Sequence, residues 1–166
     1  MVDKKENGFM PADYEAPKSG GNYMKFEQGD NLVRILDSPI VGWLQWVDKK
    51  PIRTRYSEGI PEQLGEQSPK HFWAMPIWNC KNKQVEILEI TQKGIQDFIL
   101  MQTNDADWGS PVNYDINIKR AGEGLETSYQ CIAKMPKEVS EEIATAWVAT
   151  SINLEALFDG DDPFKA

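Results

Sequence analysis

The 166-residue chain has a single histidine, His71, and two cysteines, Cys80 and Cys131. That scarcity leaves at most three soft metal ligands, in none of the spacings that zinc sites use. It also leaves one imidazole for acid–base work. His71 sits in an aromatic, strand-like run, where a ring packed or hydrogen-bonded in place is the simpler expectation. No G-x-S-x-G, Walker or H-E-x-x-H spacing occurs. Gly122-Glu123-Gly124 contains a GxG, but it joins two strand-like runs instead of opening a helix, so it reads as a hairpin turn. Asp159, Asp161 and Asp162 lack the regular oxygen spacing and distal Glu of a calcium loop. No enzyme, cofactor or metal is expected on these grounds. Long apolar runs are missing too. Nothing approaches the ~18 residues that a membrane helix needs, and the opening MVDKKENGFMPADYEAPKSGGNYM has no apolar core of the signal-peptide kind. A cytoplasmic protein with reduced cysteines is the resulting expectation.

What is present is charge, unevenly spread. The net charge is −8, of which residues 1–23 carry −1, residues 24–137 carry −1 and residues 138–166 carry −6. The body is therefore close to neutral and the acidity belongs to the end. There the chain reads LFDGDDPFKA, with three carboxylates between two phenylalanines.

Residues 1–23, rich in Lys, Glu, Pro and Gly without a period, read as a flexible arm. Residues 24–137 hold the strand-like runs. NLVRIL is followed after Pro39 by IVGWLQWV, read as one long strand bent at Gly42. KKPIRTRY, with its proline, reads as an edge strand, and SEGIPEQLGEQSP as a long loop. KHFWAMPIWNC and QVEILEIT form a hairpin around Lys81-Asn82-Lys83. Thr91 is placed to cap a helix whose stripe is Ile95, Phe98, Ile99 and Gln102. VNYDINIKR alternates, and LETSYQCIAKM returns beside it. Residues 138–158 form a C-terminal helical segment in which Trp147 reads as core, with Asn153 and Gly160 bounding a last turn. Residues 159–166 are an acidic tail. The predicted class is mainly β: a five-stranded OB-fold-like barrel with a helix between strands 3 and 4, plus the C-terminal helix and tail. An α+β sheet of other topology is the alternative.

Binding is easier to build from these residues than catalysis. Lys49, Pro51, Arg53 and Arg55 fall on one face of an extended strand because side chains alternate with period two. Lys50, Lys70, Lys119 and Arg120 add positive points. Trp46, Tyr56, Phe72, Trp73 and Trp78 are the pool of rings that could stack on bases. Cations that track phosphates, beside aromatic faces, are what single-stranded nucleic acid requires. The bland reading is a solvated edge strand guarded by charge, with tryptophans in the core.

Taken in order, KHFWAMPIWN, ILEITQKGI, W-G-S-P-x-x-Y-D-I-x-I-x-R, GEGLETSY and INLEALFDGDDPF resemble phage-encoded and prophage-encoded single-stranded DNA-binding proteins over about residues 24–164. The resemblance implies an OB fold and binding of single-stranded DNA without sequence specificity in replication, recombination or repair. It also implies a tail that recruits partner proteins, with Asp159, Asp161, Asp162 and Phe164 as its docking residues, and the bacterial host cytoplasm as the compartment. The same tail is expected to compete with DNA for the basic groove. Two rivals leave the cations idle: an OB-fold protein-interaction adaptor and an acidic DNA mimic that binds no nucleic acid.

Overall fold

The computed structural model describes residues 22–165. The predicted arm lies outside the described residues except for Asn22 and Tyr23. These two are already tied to the sheet, for Ile87 N–H donates to Asn22 O at 2.8 Å and Met24 N–H to Ile87 O at 2.9 Å.

The fold is one antiparallel sheet of seven strands: β1 (Leu32–Ile35), β2 (Ile40–Val47), β3 (Lys50–Arg55), β4 (Lys70–Asn79), β5 (Gln84–Ile90), β6 (Asp115–Ala121) and β7 (Ser128–Ala133). Their order is β3-β2-β4-β1-β6-β7, with β5 on the other side of β4, and the ladder does not close on itself. Helix α1 (Lys93–Thr103) follows β5 and packs against β7. Helix α2 (Glu141–Ala149) starts at Ser140, whose Oγ accepts from Ile143 N–H at 3.3 Å. A 3₁₀ turn, Leu154–Asp159, ends at Gly160 in the left-handed region.

The expected long bent strand is two strands laid end to end along one edge of β4. Between the pairs Ile35↔Ile77 and Ile40↔Ala74 the β1–β2 side advances five residues while β4 advances three. Pro76 explains the location. Ile87, its cross-strand partner, turns its own N–H and C=O outward to residues 22–24, so Pro76 faces the β1–β2 edge. There Pro76 O accepts from Leu36 N–H, and the ring leaves no donor for the next rung. The break therefore falls at Asp37-Ser38-Pro39 and not at Gly42. Gly42 serves a different need. A Cβ there would collide with the Thr54 carbonyl oxygen and lie 3.0–3.1 Å from the rings of Phe72 and Phe158.

Period-two alternation gives the sheet two faces. One carries Val33, Ile35, Trp73, Met75, Ile77, Leu88, Ile116 and Ile118, closed over by Ile95 and Ile99 of α1. The other carries Leu44, Phe72, Ala74 and Ile87, covered by Leu157, Phe158 and Phe164 from the C-terminal end. Burial of these side chains stabilises the fold by about 1.5–3 kcal/mol each.

Several expectations shift by a few residues. The residue at the cap of α1 is Gln92 instead of Thr91, and no side chain caps it. The β2–β3 turn is Asp48-Lys49 with both φ positive (52° and 66°), the two-residue hairpin geometry whose twist matches that of the strands. Trp147 is half-buried on α2 and belongs to neither core cluster, in contrast to its expected core position.

Candidate nucleic-acid interface

Cross-strand pairing decides which of the candidate residues can act together. Leu44 pairs with Arg53 and Gly42 with Arg55, whereas Trp43 pairs with both Thr54 and His71. The arginines of β3 therefore stand on the Phe72 face, and Trp43 and His71 stand on the opposite face with Trp73. The basic strand and the aromatic run are neighbours in the sheet, but their side chains divide between its two sides.

On the Phe72 face both arginines are engaged within the chain. Arg53 makes a bidentate pair with Glu89, Nε–Oε2 2.8 Å and Nη2–Oε1 3.1 Å, and its guanidinium lies 5.8 Å from the Phe72 ring centre. Its side chain is 9 % exposed. Arg55 lies 4.7 Å over the Phe158 ring and reaches Glu155 at 3.3 Å. The C-terminal segment is thus folded onto the strand read as the phosphate track. Pro163 is buried, its carbonyl accepts from Asn153 N–H at 2.8 Å, and Phe164 packs edge-on to Tyr23 at 6.3 Å. Asp159, Asp161 and Asp162 stay exposed around that anchor.

On the other face a groove runs between α1 and the β2–β4 ladder. Its wall is an aromatic cluster. Tyr56 is 57 % exposed and lies nearly parallel to Trp43, 6.2 Å between ring centres; His71 tilts against both, at 5.1 Å from Trp43 and 5.6 Å from Tyr56. Trp73 backs the cluster from the core. A cavity of about 470 Å³ holds Ile35, Met75 and Leu100 against Tyr56, His71 and Trp73. It shares those last three rings and Leu100 with a second cavity of about 530 Å³ that adds Trp43, Lys70, Thr91, Lys93 and Asp97. Through Lys70 and Thr91 the second cavity adjoins a smaller one of about 130 Å³ that includes Trp46, and this shares Trp46 and Gln67 with a fourth of about 550 Å³ reaching Lys49. The first two cavities make the groove on the Trp43 face; the other two adjoin it only at the end of the sheet, because Leu44, Trp46 and Lys70 share the register of Arg53 and Phe72 and stand on the opposite face.

Lys49 at the hairpin tip, Lys50 and Lys70 are exposed, and Trp46 is 53 % exposed, but Lys70 and Trp46 share the register of Leu44 and Arg53 and so rise from the other face. Other members of the pool lie elsewhere. Phe72 and Trp78 are buried, the latter 4 % exposed, and Trp73 is buried apart from the edge that lines the groove. Lys119 is exposed on the far face of β6. Arg120 is half-buried and donates from Nη1 to Phe26 O at 3.0 Å.

Sequence reading overlooked Trp43, Lys93 and Leu100. Trp43 meets Tyr56 and His71 only across strands, so no local period reveals it. Lys93 and Leu100 occupy the helix face beside the apolar stripe, where seven-residue spacing is the one available hint. Both thiols are held protonated, as burial pushes Cys80 and Cys131 up to about 11. Among the described residues no helix is long and apolar enough to cross a membrane. Comparison with known protein families, with curated proteins and with solved structures gives no match for this chain.

Proposed function

We propose that the chain binds single-stranded DNA without sequence specificity, using the aromatic groove as its stacking platform. The observation that carries this reading is the aromatic groove beside α1, with the cavities that adjoin it. It sets Tyr56, Trp43 and His71 together beside Leu100, with Lys70 and Lys93 at the rim, and the adjoining cavities lead around the end of the sheet to Trp46 and Lys49. Aromatic faces accept any base at ~1–3 kcal/mol each, and ammonium groups at this spacing follow a backbone without reading sequence. The role is a non-enzymatic one in phage-type replication, recombination or repair within a bacterial cytoplasm. The finer fold that accords with it is an OB-like barrel: the β1–β2 strand turns at its break, and α1 fills the gap between the β5 side and β7.

The C-terminal end enters this reading as a competitor. It occupies Arg55, the one partly exposed guanidinium of β3, so single-stranded DNA that reaches this face must displace Glu155 and Phe158. The displaced Asp-Asp-Pro-Phe segment is then free to recruit a partner protein.

One observation favours a second reading. Half of the groove is lined by Ile35, Val41, Met75, Ile99 and Leu100, which suits an apolar peptide and hence a protein-interaction adaptor. Titration with an oligothymidylate separates the two: the DNA-binding reading expects quenching of tryptophan fluorescence that is lost at high salt, and the adaptor expects none.

A further inference from the structure

The only imidazole of the chain is held by two hydrogen bonds that fix its protonation. His71 Nδ1 lies 2.9 Å from Gly42 O, and a carbonyl oxygen only accepts, so Nδ1 carries the proton. Trp73 Nε1 lies 3.3 Å from His71 Nε2, and an indole N–H only donates, so Nε2 is bare. Among the described residues the indole is the only hydrogen-bond partner of Nε2. The neutral ring thus ties the β2 backbone to Trp73 and, through its tilted packing, sets the positions of Trp43 and Tyr56.

We infer that His71 is the positioning residue of the aromatic cluster, and that a proton on Nε2 unlatches the cluster and weakens single-strand binding. The inference rests on the groove being a single-strand site. A proton on Nε2 would set two donors face to face, and the ring or the indole must turn away. The charged and titratable groups around the ring are Lys70 beside it on β4, Lys93 and Asp97 on α1, the Tyr56 phenol, and Asp37 in the adjoining half of the groove. Lys70 and Lys93 oppose a further positive charge. Asp97 is engaged by Lys93 at 3.0 Å. The Trp43 and Tyr56 rings, 5.1 and 5.6 Å from the imidazole, attract a cation, but they do not remove the donor–donor clash with the indole. One added charge also attracts phosphate. That gain is screened by salt whereas lost stacking geometry is not, so raised salt isolates the latch.

The test has two arms on the full chain, each scanned from pH 8 to pH 5. In the free protein, the Trp73 indole N–H resonance should follow a single-proton curve in the wild type and be flat in His71→Phe. At raised salt, oligothymidylate affinity should fall at least fivefold toward pH 5, the low end of one base-stacking contact. That fall should vanish in His71→Phe and shrink in Trp73→Phe, which keeps the ring but removes the donor. An indole resonance that does not move overturns the latch, as does an affinity profile that is the same in the wild type and His71→Phe. Absence of oligothymidylate binding at every pH instead refutes the single-strand reading, and the indole resonance still decides whether the latch exists.

Discussion

Arg53→Ala should destabilise the fold and leave the salt dependence of single-strand binding unchanged, although Arg53 belongs to the strand that reads as a phosphate track. Its guanidinium is spent inside the chain, on Glu89 at 2.8 and 3.1 Å and on the Phe72 face. Hydrogen bonds to charged groups contribute about 1.5–3 kcal/mol each. Here both end on one carboxylate that is 21 % exposed and recovers some water when the arginine is lost, so the two together are worth about that range and not twice it. For a domain of this size 1 kcal/mol moves the melting temperature by about 2–4 °C, which gives a fall of about 3–12 °C. Thermal unfolding of Arg53→Ala, Glu89→Ala and the double variant measures the pair, whose coupling should lie within about 0.5–3 kcal/mol. Fluorescence titration at several salt concentrations measures the other half. An unchanged melting temperature, together with a log K against log salt slope reduced in magnitude by about 0.7, would place Arg53 on a phosphate and refute the argument.

Trp78→Ala should cost about 3–5 kcal/mol of stability and leave oligothymidylate affinity per folded molecule intact, since the ring is buried; circular dichroism and titration of the same sample check both. Glu155→Gln, which releases the partly exposed Arg55, should tighten single-strand affinity at low salt, with the gain shrinking as the Debye length falls to ~8 Å near physiological ionic strength. Phe164→Ala should lower stability by about 0.5–1.5 kcal/mol through loss of the Tyr23 ring pair, visible as a shift in the denaturant midpoint. The cysteines give a pH dependence. Their folded thiols hold protons up to about pH 11 while unfolded thiols release them near 8.5, so the folded state binds more protons between these values. Their contribution to stability is complete below pH 8.5 and is lost as pH rises toward 11, which denaturant titrations of Cys80→Ala and Cys131→Ala against the wild type would reveal.

What the sequence made legible was local. The stripe Ile95, Phe98, Ile99 and Gln102, the Lys81–Lys83 hairpin, the left-handed Gly160 and the proline-marked edge strand all follow from spacings within a few residues, and all are present. What stayed hidden depends on pairing between distant segments. The alternation of VNYDINIKR sets Asp115 and Asn117 on the face opposite Ile116 and Ile118, and the structure buries both. Asp115 meets Arg34 Nε at 2.8 Å, and Asn117 Oδ1 accepts from Asn31 N–H at 3.1 Å, across strands more than eighty residues apart in sequence. The site shows the same limit. Period two places Arg53 and Arg55 on one face, but only the β2–β3 and β2–β4 registers reveal that this face lies opposite His71 and Trp43. The acidic end looked detached because three carboxylates dominate its composition. Its two phenylalanines instead pack against the second core cluster, and Pro163, next to Phe164 in sequence, is buried.

The central claim is that bases stack in the groove between α1 and the β2–β4 ladder, and the six tryptophans report on it directly. Two-dimensional NMR of the indole N–H groups, recorded while an oligothymidylate is added, distinguishes the rings that line the groove and its adjoining cavities from those that do not. The indoles of Trp43, Trp46 and Trp73 should shift in proportion to bound fraction, while those of Trp78, Trp108 and Trp147, none of which lines any of the four cavities, should stay in place. Binding that leaves Trp43 and Trp46 unmoved would contradict the account.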